Sequence, residues 1–134
     1  APYVLARLGP QRAEEGAYVW QKLMKTGAVI SNGTDAPVEE TDPLPGYYAL
    51  VTRKQKNGQA FYGDQKMTRD EALKAYTYNG AYAAFEETTR GSLAPGKLAD
   101  IIVLSADITK IPEEEIQKQE VLYTIVGGKV AYKK

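Results

Sequence analysis

Cysteine and histidine are both absent from the chain, and each absence limits the chemistry that it can perform. Without cysteine there is no disulfide, no thiolate zinc site and no cysteine nucleophile. Without histidine there is no serine–histidine–aspartate triad and no imidazole metal site. Any metal ion must therefore be held by oxygen ligands or by ligands from another chain.

An excess of charge of one sign and long apolar runs are also missing. The 17 Lys and Arg residues balance the 17 Asp and Glu residues, so no net field attracts nucleic acid or an anionic membrane. No apolar run approaches the roughly 20 residues of a membrane-spanning helix. The chain begins without Met and without a signal pattern, which favours a processed chain or a fragment. We expect a cytoplasmic protein with no nucleic-acid or membrane partner.

What is present is one domain's length of ordinary soluble composition, with 134 residues of which 43% are hydrophobic. Apolar periodicity predicts three helices, over residues 9–27, 46–54 and 67–87. A capping box between Thr68 and Glu71 opens the third helix, and Asn79-Gly80 is expected to break it. Between these helices the sequence predicts a buried strand (28–31), a proline-rich loop (33–46) and a mobile polar excursion (54–66).

Strand signals dominate after residue 87. The apolar run at 101–104 predicts a strand, residues 111–117 a helical turn, and residues 121–134 a hairpin around Gly127-Gly128. A parallel strand at 28–31 would need a neighbour that this chain does not supply, and a lone hairpin is marginal in water. The β elements therefore look like parts of larger sheets, and the chain looks incomplete.

Four phrases carry a resemblance to a known family. They are SNGTDAPVE (31–39), TRDEALKAYTYNGAYAAFEE (68–87), GSLAPGKLADIIVLSAD (91–107) and the closing VLYTIVGGKVAYKK (121–134), with LGPQRA (8–13) upstream. In this order they resemble the amidohydrolase superfamily, and most of all its YtcJ-like or amidohydrolase-3 branch. The resemblance covers essentially the whole chain.

The resemblance implies a fold and a division of the chain. The fold class would be α/β, as the C-terminal part of a (β/α)8 metal-dependent hydrolase barrel plus strands of its small β-sandwich. Residues 1–86 would be the last strand and helices of the barrel domain, and residues 87–134 the C-terminal strands of the composite sandwich. Members of this family are several times longer, and their His-x-His pair and other histidines would precede this chain.

Asp35 is the one family catalytic position that maps onto this sequence. The resemblance places it at the end of the eighth barrel strand, where functional residues of such barrels lie. There it would ligate a divalent metal or accept a proton from metal-bound water. The alternative is a structural aspartate whose side chain bonds to the backbone of a turn before Ala36-Pro37.

Other residues have weaker functional interpretations beside structural ones. Glu39, Glu40 and Asp42 could line a substrate site or form a solvated acidic loop. Tyrosines at helical spacing could stack on a ligand or belong to the core; these are Tyr76, Tyr78 and Tyr82. A small basic patch is expected to be exposed; its lysines are Lys54 and Lys56. Residues that we expect to turn the chain are Gly91, Pro95, Gly96 and Asp100.

Two functions follow. By resemblance the chain is the C-terminal portion of a metal-dependent hydrolase of C–N bonds other than peptide bonds, acting on an amide, N-acyl or formamide-type small molecule. A divalent metal, expected to be zinc, would be bound by the longer parent protein and not by this chain alone, which we expect to be inactive. Alternatively the chain is a non-catalytic structural fragment, or part of a protein that kept the fold without the metal. The isolated chain is expected to self-associate through its unpaired strand.

Overall fold

The computed structural model describes residues 3–55 and 57–134. Within them the helices are α1 (Val4–Gly16), α2 (Trp20–Lys25), α3 (Leu44–Thr52), α4 (Arg69–Tyr76) and α5 (Tyr78–Ala83). The strands are β1 (Ile101–Leu104), β2 (Val121–Val126) and β3 (Lys129–Lys133). Short 3-10 turns cover Gly63–Gln65 and Glu113–Lys118. No helix among the described residues combines the length and apolar character needed to cross a bilayer.

The first predicted helix is two helices with a break between them. Gly9 has a φ of 74° inside α1, so the helix restarts at Pro10, whose missing N–H is harmless in a first turn. At its far end Ala17 is extended and Tyr18 has a φ of 55°, which separates α1 from α2. The apolar stripe predicted along one helix is therefore divided between two clusters. Ala13 and Ala17 pack with Phe61, whereas Trp20 and Met24 pack against the main core.

The main core lies between α3, α4 and the 3-10 turn at Glu113–Lys118. Its largest fully buried side chains are Met67 and Ile116. The whole buried cluster is Leu44, Tyr47, Leu50, Val51, Met67, Ala72, Ala75, Ile108 and Ile116. Residues from before and after position 87 thus share one core. The division at residue 87 into two domains stays a prediction.

The capping box predicted at the start of α4 is confirmed. The Thr68 hydroxyl accepts a hydrogen bond from the Glu71 backbone N–H at 3.2 Å, and the Glu71 carboxylate accepts one from the Thr68 N–H at 2.7 Å. Because the hydrogen bond from the Thr68 N–H favours the ionised carboxylate, the pKa of Glu71 is lowered. The break after α4 lies at Thr77, with φ −128° and ψ −91°, two residues before the predicted position.

The predicted strands after residue 87 are confirmed as a three-stranded antiparallel sheet in the order β1-β2-β3. Gly127 and Gly128 both have positive φ in the hairpin turn, as a tight turn requires. The Asp100 carboxylate accepts a hydrogen bond from the Gly127 N–H at 2.8 Å, which fixes β1 to that turn. Every strand residue is half-buried or exposed.

Two predicted segments differ from the structure. Residues 28–31 lie outside every strand, with Val29 53% exposed, because no described segment offers them a sheet partner. The excursion at 54–66 is packed at its far end, since Phe61 and Gln65 are buried. Its polar start hid that anchor: the Phe61 N–H donates to the Arg53 carbonyl at 2.9 Å. Lys56 of the predicted basic patch lies outside the described residues.

Candidate active-site loop around Asp35

Asp35 lies at the start of a turn that follows residues 28–34, which belong to no helix or strand. Its φ of 52° is left-handed, a conformation that aspartate tolerates better than most residues. The Val38 N–H donates a hydrogen bond to the Asp35 carbonyl at 2.8 Å, which closes the turn. The backbone of Asp35 therefore forms the turn.

The side chain of Asp35 is not used in the same way. The residue is exposed, and its carboxylate makes no hydrogen bond to any other described residue. A structural aspartate was expected to bond its side chain to the turn backbone, but here the main-chain carbonyl of Asp35 accepts the hydrogen bond that closes the turn. The turn is confirmed, its carboxylate is left to solvent, and its catalytic role stays a prediction.

Two hydrogen bonds join the segment before Asp35 to the junction of α4 and α5. The Asn32 N–H donates to the Ala75 carbonyl at 2.9 Å, and the Asn79 side-chain amide donates to the Ile30 carbonyl at 2.8 Å. Carbonyls in the last turn of a helix have no partner inside that helix. The helix break at Thr77 therefore leaves the Ala75 carbonyl available to the loop.

Tyr76 lies beneath this segment, half-buried against the core. Its hydroxyl is buried and makes no hydrogen bond among the described residues. Burial raises the pKa of Tyr76; the nearby Asn32 amide offsets part of that rise without reaching hydrogen-bond geometry. The hydroxyl fits only because residue 46 is glycine, since a Cβ there would collide with it.

The acids that follow Asp35 divide by role. Asp42 is structural: its carboxylate accepts a hydrogen bond at 2.9 Å from the N–H of Leu44, the first residue of α3. Glu39 and Glu40 are exposed, as a solvated loop requires. No group of three or more potential metal ligands occurs among residues 3–55 and 57–134. Among the acids of this loop, Asp42 is bonded to the backbone, whereas the exposed carboxylates of Asp35, Glu39 and Glu40 have no described partner.

The remaining candidates are mostly structural. Tyr76 belongs to the core as expected, whereas Tyr78 and Tyr82 are 41% and 48% exposed, because α5 is a short helix on the surface. Lys54 is exposed as predicted, and its ammonium pairs with the Glu113 carboxylate at 3.2 Å. A Cβ on Gly91, whose φ is 85°, would lie 2.7 Å from the Ala81 Cβ.

Sequence reasoning missed Arg53, which is only 7% exposed. Its Nε donates to the Phe61 carbonyl at 2.7 Å and its Nη1 to the Tyr18 carbonyl at 2.8 Å, while Nη2 has no partner among the described residues. Burial lowers the pKa of this guanidinium. Asn32 and Asn79 were also missed as anchors. Asn79 was interpreted only as a helix breaker, and nothing local to Arg53 distinguishes it from a surface residue.

The chain is similar in sequence to a known protein family and to several of its members. A family model described as "Amidohydrolase family" matches residues 1–132. The chain is 35% identical over 136 residues to a putative amidohydrolase YtcJ of Bacillus subtilis, covering 99% of this chain and 26% of that protein. It is 30% identical over 114 residues to an N-substituted formamide deformylase of Arthrobacter pascens, covering 85% of this chain and 21% of that enzyme.

One solved structure is also similar. A crystal structure of an amidohydrolase from Thermotoga maritima matches with a TM-score of 0.66 at 23% identity, over 87% of this chain and 26% of that chain. At this identity the likeness concerns the fold alone. The chain therefore spans about a quarter of the length of the proteins that it matches.

Proposed function

The chain belongs to the amidohydrolase family, and on that premise we propose that it is the C-terminal part of a longer metal-dependent hydrolase of C–N bonds. The observation that carries the proposal is the free carboxylate of Asp35 on an anchored loop. In this proposal residues 28–34 form the eighth strand of a (β/α)8 barrel. No described segment pairs with these residues, so in this proposal their strand partners come from the rest of the parent barrel.

The described residues do not fit a complete metal site. Zinc takes about four protein or water ligands, and the described residues contain no group of three or more side chains that could hold a metal ion. The other ligands would therefore come from the rest of the parent protein. When bound, a divalent metal such as zinc supplies a hydroxide-like nucleophile, since it lowers the pKa of its water to about 7.

The chain's own contribution is to present one carboxylate. The left-handed turn at Asp35 directs its main chain into the Val38 hydrogen bond, so the carboxylate stays available as a ligand or a proton acceptor. The substrate class that we propose is a small molecule with an amide, N-acyl or formamide-type bond. The match to an N-substituted formamide deformylase supports this class.

A non-catalytic role is the second candidate. The lack of a metal-ligand cluster among the described residues favours it for the chain by itself. We accordingly propose that the isolated 134-residue chain has no hydrolytic activity, and that a non-catalytic parent would lack a His-x-His pair upstream of Ala1.

The test uses the longest natural form of the protein and the isolated chain side by side. Both are assayed on a panel of N-formyl amines, N-acyl amines and simple amides, before and after chelation and with zinc restored. We expect the long form to hydrolyse at least one member, to lose that activity on chelation and to regain it with zinc, while the isolated chain does nothing. Hydrolysis that survives complete chelation, or an upstream sequence without a His-x-His pair, would contradict the proposal.

Two smaller proposals accompany this one. We propose a cytoplasmic location and self-association of the isolated chain. Large apolar side chains on the sheet support self-association, because exposed apolar patches favour contact between copies; Ile102, Val126 and Val130 are each more than half exposed. Light scattering over a concentration series should show mass rising above 14.7 kDa, and a constant monomer mass would refute it.

A further inference from the structure

We propose that Asn79 is a positioning residue for Asp35. Its side-chain amide donates to the Ile30 carbonyl and so holds the segment that leads to Asp35. The effect of Asn79 on catalysis rests on the proposed function, whereas its hydrogen bond to the Ile30 carbonyl is a feature of the fold. Asn79 lies 44 positions after Asp35 in the sequence and in the first turn of α5. No local pattern links the two residues.

The contact is of a kind that fixes a chain path. The donor is the Asn79 side-chain amide, and the acceptor is a main-chain carbonyl, that of Ile30, at 2.8 Å in a part-buried setting. The Ile30 side chain packs against the main core at the same point. Because the acceptor is a main-chain carbonyl, the bond fixes the backbone of the segment whichever rotamer the Ile30 side chain adopts.

A second bond lies two residues further along and comes from the other side of the helix break. The Asn32 N–H reaches the Ala75 carbonyl at 2.9 Å, in the last turn of α4. Because Thr77 is not helical, α4 and α5 change direction between these contacts and offer the loop one carbonyl and one side-chain amide. The break thus forms a two-point clamp, defined here as the bonds Asn32–Ala75 and Asn79–Ile30.

The clamp is the last support before the functional turn. After Asn32 the only described main-chain hydrogen bond that the loop makes up to residue 38 is the one within the Asp35 turn itself. Only Gly33 and Thr34 separate the clamp from Asp35, so a displacement of the clamped segment displaces the base of the Asp35 turn. Since misplacing a reacting group by about 1 Å can reduce a rate about a hundredfold, loosening the clamp should lower turnover without removing any reacting group.

A purely structural role for Asn79 makes a different prediction. In that case Asn79 would stabilise α5, and its loss would loosen that helix as a whole. The Ala81 N–H bonds to the Thr77 carbonyl within α5 and reports on that helix alone. The Asn32 N–H reports on the loop. Hydrogen exchange at these two amides separates the two roles.

The first experiment measures amide hydrogen exchange in the longest natural form of the protein, comparing wild type, Asn79→Ala and Asn57→Ala. Asn57 is the matched control, an exposed asparagine whose side chain bonds only locally to Gln59. We expect Asn79→Ala to speed exchange at Asn32 about tenfold, the effect of losing one hydrogen bond, and to leave Ala81 within about threefold. Unchanged exchange at Asn32, or equal acceleration at Ala81, would overturn the anchor.

The second experiment is a double-mutant cycle on hydrolysis with Asn79→Ala and Asp35→Glu, which keeps a carboxylate and so leaves measurable activity. We expect Asn79→Ala to lower kcat about tenfold or more while KM changes less than about threefold. In the Asp35→Glu background the same change should lower kcat less than about threefold, because the two act through one another. A full tenfold loss in both backgrounds would overturn the inference.

The two experiments distinguish the possible failures. If Asp35→Asn has wild-type kcat, the proposed catalytic role fails and the positioning inference fails with it, whatever the exchange data show. If hydrolysis depends on Asp35 but exchange at Asn32 ignores Asn79, the proposed function stands and the clamp does not. Only loop-specific exchange together with non-additive kcat supports Asn79 as a positioning residue.

Discussion

Asp35 and Asp107 each begin a turn that the residue's own main-chain carbonyl closes, but their carboxylates differ. At Asp107 the carboxylate is occupied: Oδ1 accepts hydrogen bonds from the Thr109 N–H at 2.9 Å and its hydroxyl at 2.5 Å, and Oδ2 pairs with the Lys110 ammonium at 3.0 Å. The Thr109 hydroxyl, Lys110 and the Thr109 N–H lower the pKa of Asp107 to about 2. At Asp35 the main-chain carbonyl closes the turn and the carboxylate bonds to no described residue.

The difference separates a turn-forming aspartate from one available for chemistry. Asp42 and Asp100 belong with Asp107, because the carboxylate of each accepts a hydrogen bond from a backbone N–H. The bonds of Asp42 and Asp107 are the local ones that make aspartate common in turns, whereas Asp100 bonds to a turn 27 positions away. Asp35 has the turn without that bond. The hydrogen bonding of the carboxylate, and not the presence of a turn, therefore distinguishes the two interpretations of Asp35.

The largest expected effect is on the rate of hydrolysis. In the longest natural form of the protein, Asp35→Asn should lower kcat/KM about a hundredfold or more, as loss of an acid–base group does. Asparagine tolerates the same left-handed backbone, so the turn is kept. Asp107→Asn is the matched control and should hydrolyse at the wild-type rate. Equal losses in both variants would erase the distinction between the two aspartates.

The next effect concerns the packing beneath the Asp35 loop. Gly46→Ala should lower the free energy of unfolding by about 2 kcal/mol, because its Cβ would collide with the buried Tyr76 hydroxyl. Adding Tyr76→Phe removes that hydroxyl and should restore much of the loss. Urea unfolding of the single and double variants measures both steps. A Gly46→Ala protein as stable as wild type would show that the packing around the Tyr76 hydroxyl accommodates a methyl group at position 46.

A smaller effect is expected at the start of α4, the helix whose last turn provides the Ala75 carbonyl. Thr68→Ala removes the side-chain half of the capping box and should lower the free energy of unfolding by about 1 kcal/mol. Thr88→Ala, at an exposed threonine, is the control. Thermal unfolding would compare the two. If both variants unfold alike, α4 does not depend on its cap.

The pH dependence of Glu71 goes with this cap. Its folded pKa lies below the ordinary value of 4.5 because its carboxylate accepts the Thr68 N–H. The stabilisation is therefore complete above that ordinary pKa and disappears as pH falls through the lowered folded value. The stability difference between wild type and Glu71→Gln should accordingly shrink on acidification below pH 4.5.

The smallest effect belongs to the exposed turn at Asp107. Its folded pKa of about 2 lies below the ordinary 3.8, so the carboxylate stabilises the fold above pH 3.8 and loses that contribution as pH falls through 2. Wild type should be slightly more stable than Asp107→Asn at neutral pH, and the two should converge in strong acid. A constant difference from pH 7 to pH 2 would show that the turn does not depend on this charge.

Local signals in the sequence were sufficient for much of the fold. The Thr68–Glu71 capping box, the strand at 101–104 and the hairpin at Gly127-Gly128 all follow from neighbouring residues, and all are confirmed. The break between α1 and α2 was not predicted, because the apolar stripe runs through it and only tertiary packing divides that stripe between two clusters. The anchor at Phe61 was hidden for the same reason.

The candidate site was predictable only in part. The sequence and its family resemblance pointed to Asp35 and to a turn around it. They did not point to the Asn79–Ile30 bond, which joins residues 49 positions apart, or to the buried Arg53. Contacts of this kind depend on how α4 and α5 pack against the loop, and no local sequence pattern predicts that packing. The strand expected at 28–31 is not formed among the described residues, because strands are defined by partners and no described segment pairs with it, so it stays a prediction for the longer protein.

The fold does not use the carboxylate of Asp35, and urea unfolding of Asp35→Asn at pH 7 tests this most directly. We expect a free energy of unfolding within about 0.5 kcal/mol of wild type, as for a surface group without partners. A loss of more than about 1 kcal/mol would show that the carboxylate holds a hydrogen bond in the folded chain. Asp35 would then be a turn-former like Asp107, and the claim would be contradicted.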